Sequence, residues 1–87
     1  MYKIIFTKTA KKQLESLSNI YLVRIERKLK ELQQNPFGVS NVKKLEGEEF
    51  LYRLRISDIR IIYSIDTKQI LIEIIEIKKR NDIYKKH

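Results

Sequence analysis

Three arginines, Arg53, Arg55 and Arg60, fall within the stretch from Phe50 to Ile65, FLYRLRISDIRIIYSI. A guanidinium group keeps its charge at any physiological pH and presents several donors in one plane, so a cluster of them is chemistry for an anion. Whether they cluster depends on strand register. Phe50, Tyr52, Leu54 and Ile56 alternate with Leu51, Arg53, Arg55 and Ser57, which puts Arg53 and Arg55 on one face. With Ser57 and Asp58 as a two-residue hairpin turn, Ile56 pairs with Ile59 and Arg55 lies across from Arg60. Three guanidinium groups then share a surface. Like charges set opposite one another cost free energy, and a sheet needing only solubility would intersperse acids there, so the pattern points to a polyanion.

The elements that must position these residues come from a chain of 87 residues. That length predicts a single domain over 1–87, burying roughly 60–70% of the surface its unfolded chain exposes, with one core and no deep cavity. Lys and Arg number 19 against 11 Asp and Glu, a net charge of +8, which suits a nucleic acid, an acidic protein or an anionic membrane. No cysteine is present, and His87 is the only histidine, so disulfides, thiolate zinc sites and histidine metal clusters are excluded and no metal is expected. The cytoplasm is the expected compartment. No signal-peptide pattern opens the chain, and the longest apolar run, Ile70 to Ile77, is too short for a bilayer and is broken by Glu73 and Glu76. A soluble protein is expected.

Met1 to Phe6 reads as a short strand. Thr7 or Thr9 caps a helix carrying Ala10, Leu14 and Leu17 on one side, and after Ser18 and Asn19 a second helix runs from about Ile20 to Gln34 with Leu22, Ile25, Leu29 and Leu32 in one stripe. Such a stripe packs on a sheet. Arg24, Arg27, Lys28 and Lys30 lie away from it as the helix's wet side. Asn35, Pro36 and Gly38 stop the helix, and the segment to Glu49 reads as a connecting loop whose charges nearly cancel. After the hairpin, Asp66 to Gln69 forms a turn and Ile70 to Ile77 an interior strand, apolar on both faces. By parity Glu73 and Glu76 point to opposite faces, so at most one sits among the arginines, where it would orient a guanidinium. Arg53 is as well placed to form a plain surface salt bridge, with Glu73 or a loop glutamate, as to meet a ligand. Tyr52 and Tyr63 read as core residues with hydroxyls at the edge. The tail, KKRNDIYKKH, is basic, and one helical turn would bring Arg80 and Tyr84 to the same side.

An opening strand, two helices ending in Asn35-Pro36-Phe37, the approach Leu45-Glu46-Gly47, then Tyr52-Arg53-Leu54-Arg55, Arg60-Ile61-Ile62-Tyr63, and a closing Arg80 with Ile83-Tyr84 cover nearly the whole chain. In order and spacing they resemble the RelE/ParE toxins of type II toxin-antitoxin pairs, and the RelE branch more closely. The resemblance implies an α+β fold, β-α-α-β-β-β, with a small, mostly antiparallel sheet of about four strands backed by the N-terminal helical hairpin. It implies a ribosome-dependent endoribonuclease that cuts messenger RNA in the ribosomal A site without metal or small-molecule cofactor, partnered by a cognate antitoxin and acting at no membrane. By position, Arg53 and Arg55 match basic residues of the second strand and Arg60 the arginine of the third. Arg80 or Lys78 matches the basic residue after the last strand, and Tyr84 the tyrosine that stacks on an RNA base.

Metal-free cleavage has the 2'-hydroxyl attack the adjacent phosphorus, giving a 2',3'-cyclic phosphate and a free 5'-hydroxyl. Charge gathers on the phosphoryl oxygens, where Arg55 and Arg60 are suited to meet it. Arg55 stands where some relatives have lysine, and an arginine is a poor general base. Lys78 and Lys79, crowded by Arg80 and the other cations, are better sources of a neutral amine, with Tyr84 a further candidate and His87 the weakest. The expected site is therefore Arg55, Arg60, Arg80, Tyr84 and Lys78 for chemistry and Arg53 and Lys79 for binding. Two other functions share the fold or the charge. A ParE-like toxin would poison DNA gyrase with no nuclease activity, and such relatives usually lack the basic and aromatic residues after the last strand. A plain RNA-binding module would use the same basic face without cutting.

Overall fold

Alternation in the central stretch builds the middle of a sheet, and helical periodicity in the first third builds the layer that covers it. The computed structural model describes residues 1–45, 47 and 51–79, in the order β1 (Lys3–Phe6), α1 (Lys8–Glu15), α2 (Asn19–Gln34), β2 (Val42–Lys44), β3 (Leu51–Ile56), β4 (Ile59–Asp66) and β5 (Leu71–Lys79). The five strands lie in the order β1-β5-β4-β3-β2, with β1 parallel to β5 and the other pairs antiparallel. This is the expected α+β class with one strand more than the sequence suggested. The extra strand, β2, lies in the segment read as a loop. Three residues, two of them lysine, leave no visible alternation, and a short lysine-bearing edge strand is how a sheet discourages further pairing. Arg80 and Tyr84 lie outside the described residues.

Both helices cover one face. Thr7 caps α1 by accepting the Ala10 N–H at 3.1 Å, and the α2 end is tied to the start of β1 by Tyr2 N–H to the Gln33 carbonyl at 2.9 Å. Ala10, Ile25 and Leu32 from the helices meet Leu54, Ile56, Ile59, Ile61, Tyr63, Ile65, Ile72, Ile74 and Ile77 from the sheet, all buried. Each large aliphatic side chain so buried contributes about 1.5–3 kcal/mol. No helix among the described residues is long and apolar enough to cross a membrane.

A bulge in β5 changes which side chains reach which face. Ile62 lies opposite Glu76 but Tyr63 opposite Ile74, so Ile75 is the extra residue. Glu73 and Glu76 therefore pair with Ser64 and Ile62, two residues that share the face away from the helices. The parity expectation that separated the two glutamates is corrected: a bulge shifts register by one and brings them to the same side. Since β1 ends at Phe6, α1 completes the hydrogen bonding of β5 here. Thr7 Oγ1 donates to the Ile75 carbonyl at 2.9 Å, and Gln13 Oε1 accepts the Ile77 N–H at 2.6 Å.

Tyr63 is fully buried, its ring stacked on Tyr52 at 5.8 Å between centroids, and its hydroxyl has no hydrogen-bond partner among the described residues. The expectation of a hydroxyl at the edge is thus corrected for Tyr63, because its strand runs through the sheet's centre. Burial, with the neighbouring Tyr52 adding to it, pushes this hydroxyl well above its ordinary value of 10.0. Tyr63→Phe should stabilise the protein by about 1 kcal/mol, since it removes an unsatisfied buried group, which thermal unfolding would show as a rise of about 4–8 °C. Because the folded state holds this proton after the unfolded chain has released it, stability is fully present below pH 10.0 and falls as pH rises beyond it. The variant's advantage should therefore widen in alkaline buffer.

Candidate nucleic-acid interface

The β3 and β4 register sets Ile56 against Ile59 and Arg55 against Arg60, with Ser57 and Asp58 as the turn. Arg60 is in turn opposite Lys78 of β5, so Arg55, Arg60 and Lys78 form a row across three strands on the face the helices leave open. At the usual strand spacing that row spans about 10 Å. The next row on the same face runs Lys43, Arg53, Ile62 and Glu76. Arg53 and Arg60 are half-buried and Arg55 is exposed, consistent with aliphatic stems lying on the sheet and charged heads in water.

None of the three arginines has an ion-pair partner among the described residues; the only pair on this face joins Lys78 Nζ to Glu76 Oε1 at 3.8 Å. The expected pairing of Arg53 with Glu73 is not formed, and the loop glutamates Glu46, Glu48 and Glu49 lie outside the described residues. Glu76, brought to this face by the bulge, orients the ammonium of Lys78 rather than a guanidinium. Among the described residues the three guanidinium groups have no carboxylate partner.

Lys79 does not join them. It pairs with Ile59, so it points to the helix side, and its Nζ lies 4.8 Å from the centre of the Tyr21 ring in a cation–π contact. The expectation that Lys79 binds substrate with the arginines is corrected on that geometry. One cation was missed: Lys43 lies opposite Arg53, and with Asn41, Val42, Arg53 and Arg55 it lines a shallow cleft of about 350 Å³. Only recognition of β2 as a strand would have placed it. On α2, Lys28 and Lys30 pair with Glu31 and Glu26, as a solvated helix face does, whereas Arg24 donates to Ser57 at 2.8 Å in the hairpin turn.

Residues 4–84 match the family model described as the ParE toxin of type II toxin-antitoxin system, parDE. The chain belongs to this toxin family. Among solved structures it is similar to the archaeal RelE of the RelE-RelB complex from Pyrococcus horikoshii, with 34% identity, 91% of this chain and 94% of that chain covered, and a TM-score of 0.80. It is also similar to a chain of the RelBE2 toxin-antitoxin complex of Mycobacterium tuberculosis, at 26% identity over 91% and 98% of the two chains with a TM-score of 0.75. The isolated RelE toxin of E. coli shares the fold at 24% identity over 97% and 92%, with a TM-score of 0.81. No curated protein sequence matched. The toxin is thus a RelE/ParE family member whose open sheet face carries a row of cations.

That row has a cost that can be measured without any ligand. Arg55→Thr keeps strand propensity and removes one of two like charges set opposite each other, so it should raise stability by roughly 0.5 kcal/mol in low salt. Denaturant unfolding should show the gain shrinking toward about 1 M salt, where the Debye length is about 3 Å.

Proposed function

We propose that this toxin is a ribosome-dependent endoribonuclease that cuts messenger RNA in the ribosomal A site, using the 2'-hydroxyl as nucleophile and no metal. The observation that supports it best is the row Arg55, Arg60 and Lys78, in which neither guanidinium is tied to a carboxylate among the described residues. Adjacent planar guanidinium groups can each give two hydrogen bonds to phosphoryl oxygens as these gain charge in the transition state. Arg60, in the middle of the row, makes the central contact. Arg53, one row away, would take a neighbouring phosphate. Arg80 remains, beside Lys78, a candidate for the basic residue that the resemblance places after the last strand, and Tyr84 keeps the implied stacking role, worth about 1–3 kcal/mol per base.

The row supplies charge more readily than proton transfer. Arginine does not give up its proton, so the candidates for general base are Lys78, Tyr84, the weaker His87 and a group of the ribosome. A slow reaction on free RNA is compatible with the last of these.

The partner proposed is a cognate antitoxin. The structures similar to this chain include RelE-RelB and RelBE2 complexes, and an acidic partner would suit a chain of net charge +8. A second reading, a ParE-like gyrase poison, is supported by the family model itself.

Primer extension on ribosome-engaged message separates the two. New breaks within codons at the A site are expected, reduced roughly 10²- to 10³-fold by Arg60→Ala, the usual effect of losing one preorganised donor. Arg60→Lys should recover little of it, because an ammonium cannot reproduce the bidentate geometry. Intact message together with gyrase-linked DNA breaks would replace this reading with the second.

A further inference from the structure

Ser57, at the tip of the β3–β4 hairpin, has φ 53°, a left-handed backbone where glycine or asparagine is the usual choice and serine is strained. The like-charged pair Arg55 and Arg60 sits just below this tip, and its repulsion opposes the pairing that the strands nevertheless keep. On the β3 side, ladder pairing with β2 ends at Leu54, and the next contact is the Arg55 N–H to the Asn41 carbonyl at 3.1 Å. The tip therefore carries both strain and repulsion at the point where β2 no longer pairs with β3.

Helix α2 closes on it from the other layer. Arg24 Nη1 donates to Ser57 Oγ at 2.8 Å, and the Tyr21 hydroxyl donates to Asp58 Oδ2 at 3.1 Å. Lys79 lies against the Tyr21 ring, so that ring is held from the sheet side as well. A non-glycine residue stays in a sparsely populated backbone region only where its surroundings over-determine it. Serine at this position carries an acceptor for Arg24 that glycine would lack.

We propose that Tyr21 and Arg24 are positioning residues, clamping the Ser57–Asp58 turn to α2 and so fixing the separation of Arg55 and Arg60 for a single phosphate group. The role deepens the nuclease reading and rests on it. Neither residue belongs to the cation row. They act through the turn.

The test is steady-state cleavage of ribosome-bound message by the wild type and by Tyr21→Phe, Arg24→Ala, Arg24→Lys and Ser57→Gly, with thermal unfolding and amide exchange from Arg55 to Arg60 measured on each. Tyr21→Phe and Arg24→Ala should lower kcat by roughly 10- to 100-fold with KM little changed, the scale expected of a displacement near 1 Å. Arg24→Lys should restore much of the loss, since an ammonium still donates to the Ser57 hydroxyl. Ser57→Gly separates positioning from mere stability. Glycine relieves the left-handed backbone, so the melting temperature should hold or rise while kcat falls and the tip amides exchange faster. Full kcat in both Ser57→Gly and Tyr21→Phe overturns the proposal, as does a kcat that simply follows the melting temperature across the set. If the wild type itself leaves message intact, the nuclease reading fails and the catalytic role with it, whereas the clamp as a structural device is judged on amide exchange alone.

Discussion

Two arginines face each other across a hairpin, and the rest of the molecule has to hold them there. Arg55 and Arg60 are directly paired, with Lys78 next in line. Their repulsion in water is of the order of 1 kcal/mol or less. Against it, on the opposite side of the same two strands, stand the buried pairs Leu54 with Ile61 and Ile56 with Ile59, each side chain worth about 1.5–3 kcal/mol. The apolar face therefore decides the register, and the charged face accepts it. A slip of one residue would turn the arginines into the core and the isoleucines into water, which makes the cluster as robust as the core beneath it.

That coupling explains why the hairpin was legible in sequence. Alternation from Leu51 to Ile56 and from Ile59 to Ile65 is the same pattern that the core requires, so one observation fixed both the register and the arginine face. The α2 stripe was legible for the same reason, through Ile25 and Leu32. Features that rest on hydrogen bonding rather than burial were not. Val42 to Lys44 pairs with β3 through backbone groups, and a single half-buried valine carries no periodic signal. The bulge at Ile75 leaves a run of isoleucines and glutamates that reads equally well in either register, and Lys79 looks interchangeable with Lys78 until the register is known.

The two faces of the sheet also divide the toxin's work. One face is closed by helices, and among the described residues none of those buried there is charged, the Tyr63 hydroxyl being the one buried side-chain polar atom left without a partner. The other is open and carries cations whose only carboxylate partner among the described residues is Glu76 on Lys78. A surface of that kind concentrates field where an anion would sit and gains little from its own neighbours. For a family of toxins held in check by a partner protein, the same exposure that would serve a nucleic acid would also serve an acidic inhibitor.

The third cation of the row depends on an element far from the hairpin in sequence. Ile72 and Ile74 point into the core, so with uninterrupted alternation Glu76 and Lys78 would follow them and Ile77 would face water. The bulge at Ile75 reverses this: Ile77 is buried, and Lys78 stands beside Arg60. At the bulge β5 is bonded by Thr7, the N-cap of α1, on the Ile75 carbonyl and by Gln13 of α1 on the Ile77 N–H. An unpaired strand edge with a skipped residue would otherwise leave those groups to water or pull β5 back into regular register. The helix that begins at Lys8 thus sets which lysine of the Lys78-Lys79 pair joins the arginines, and the one it turns away, Lys79, is the one that meets Tyr21 at the hairpin tip. One skipped residue assigns both lysines their places.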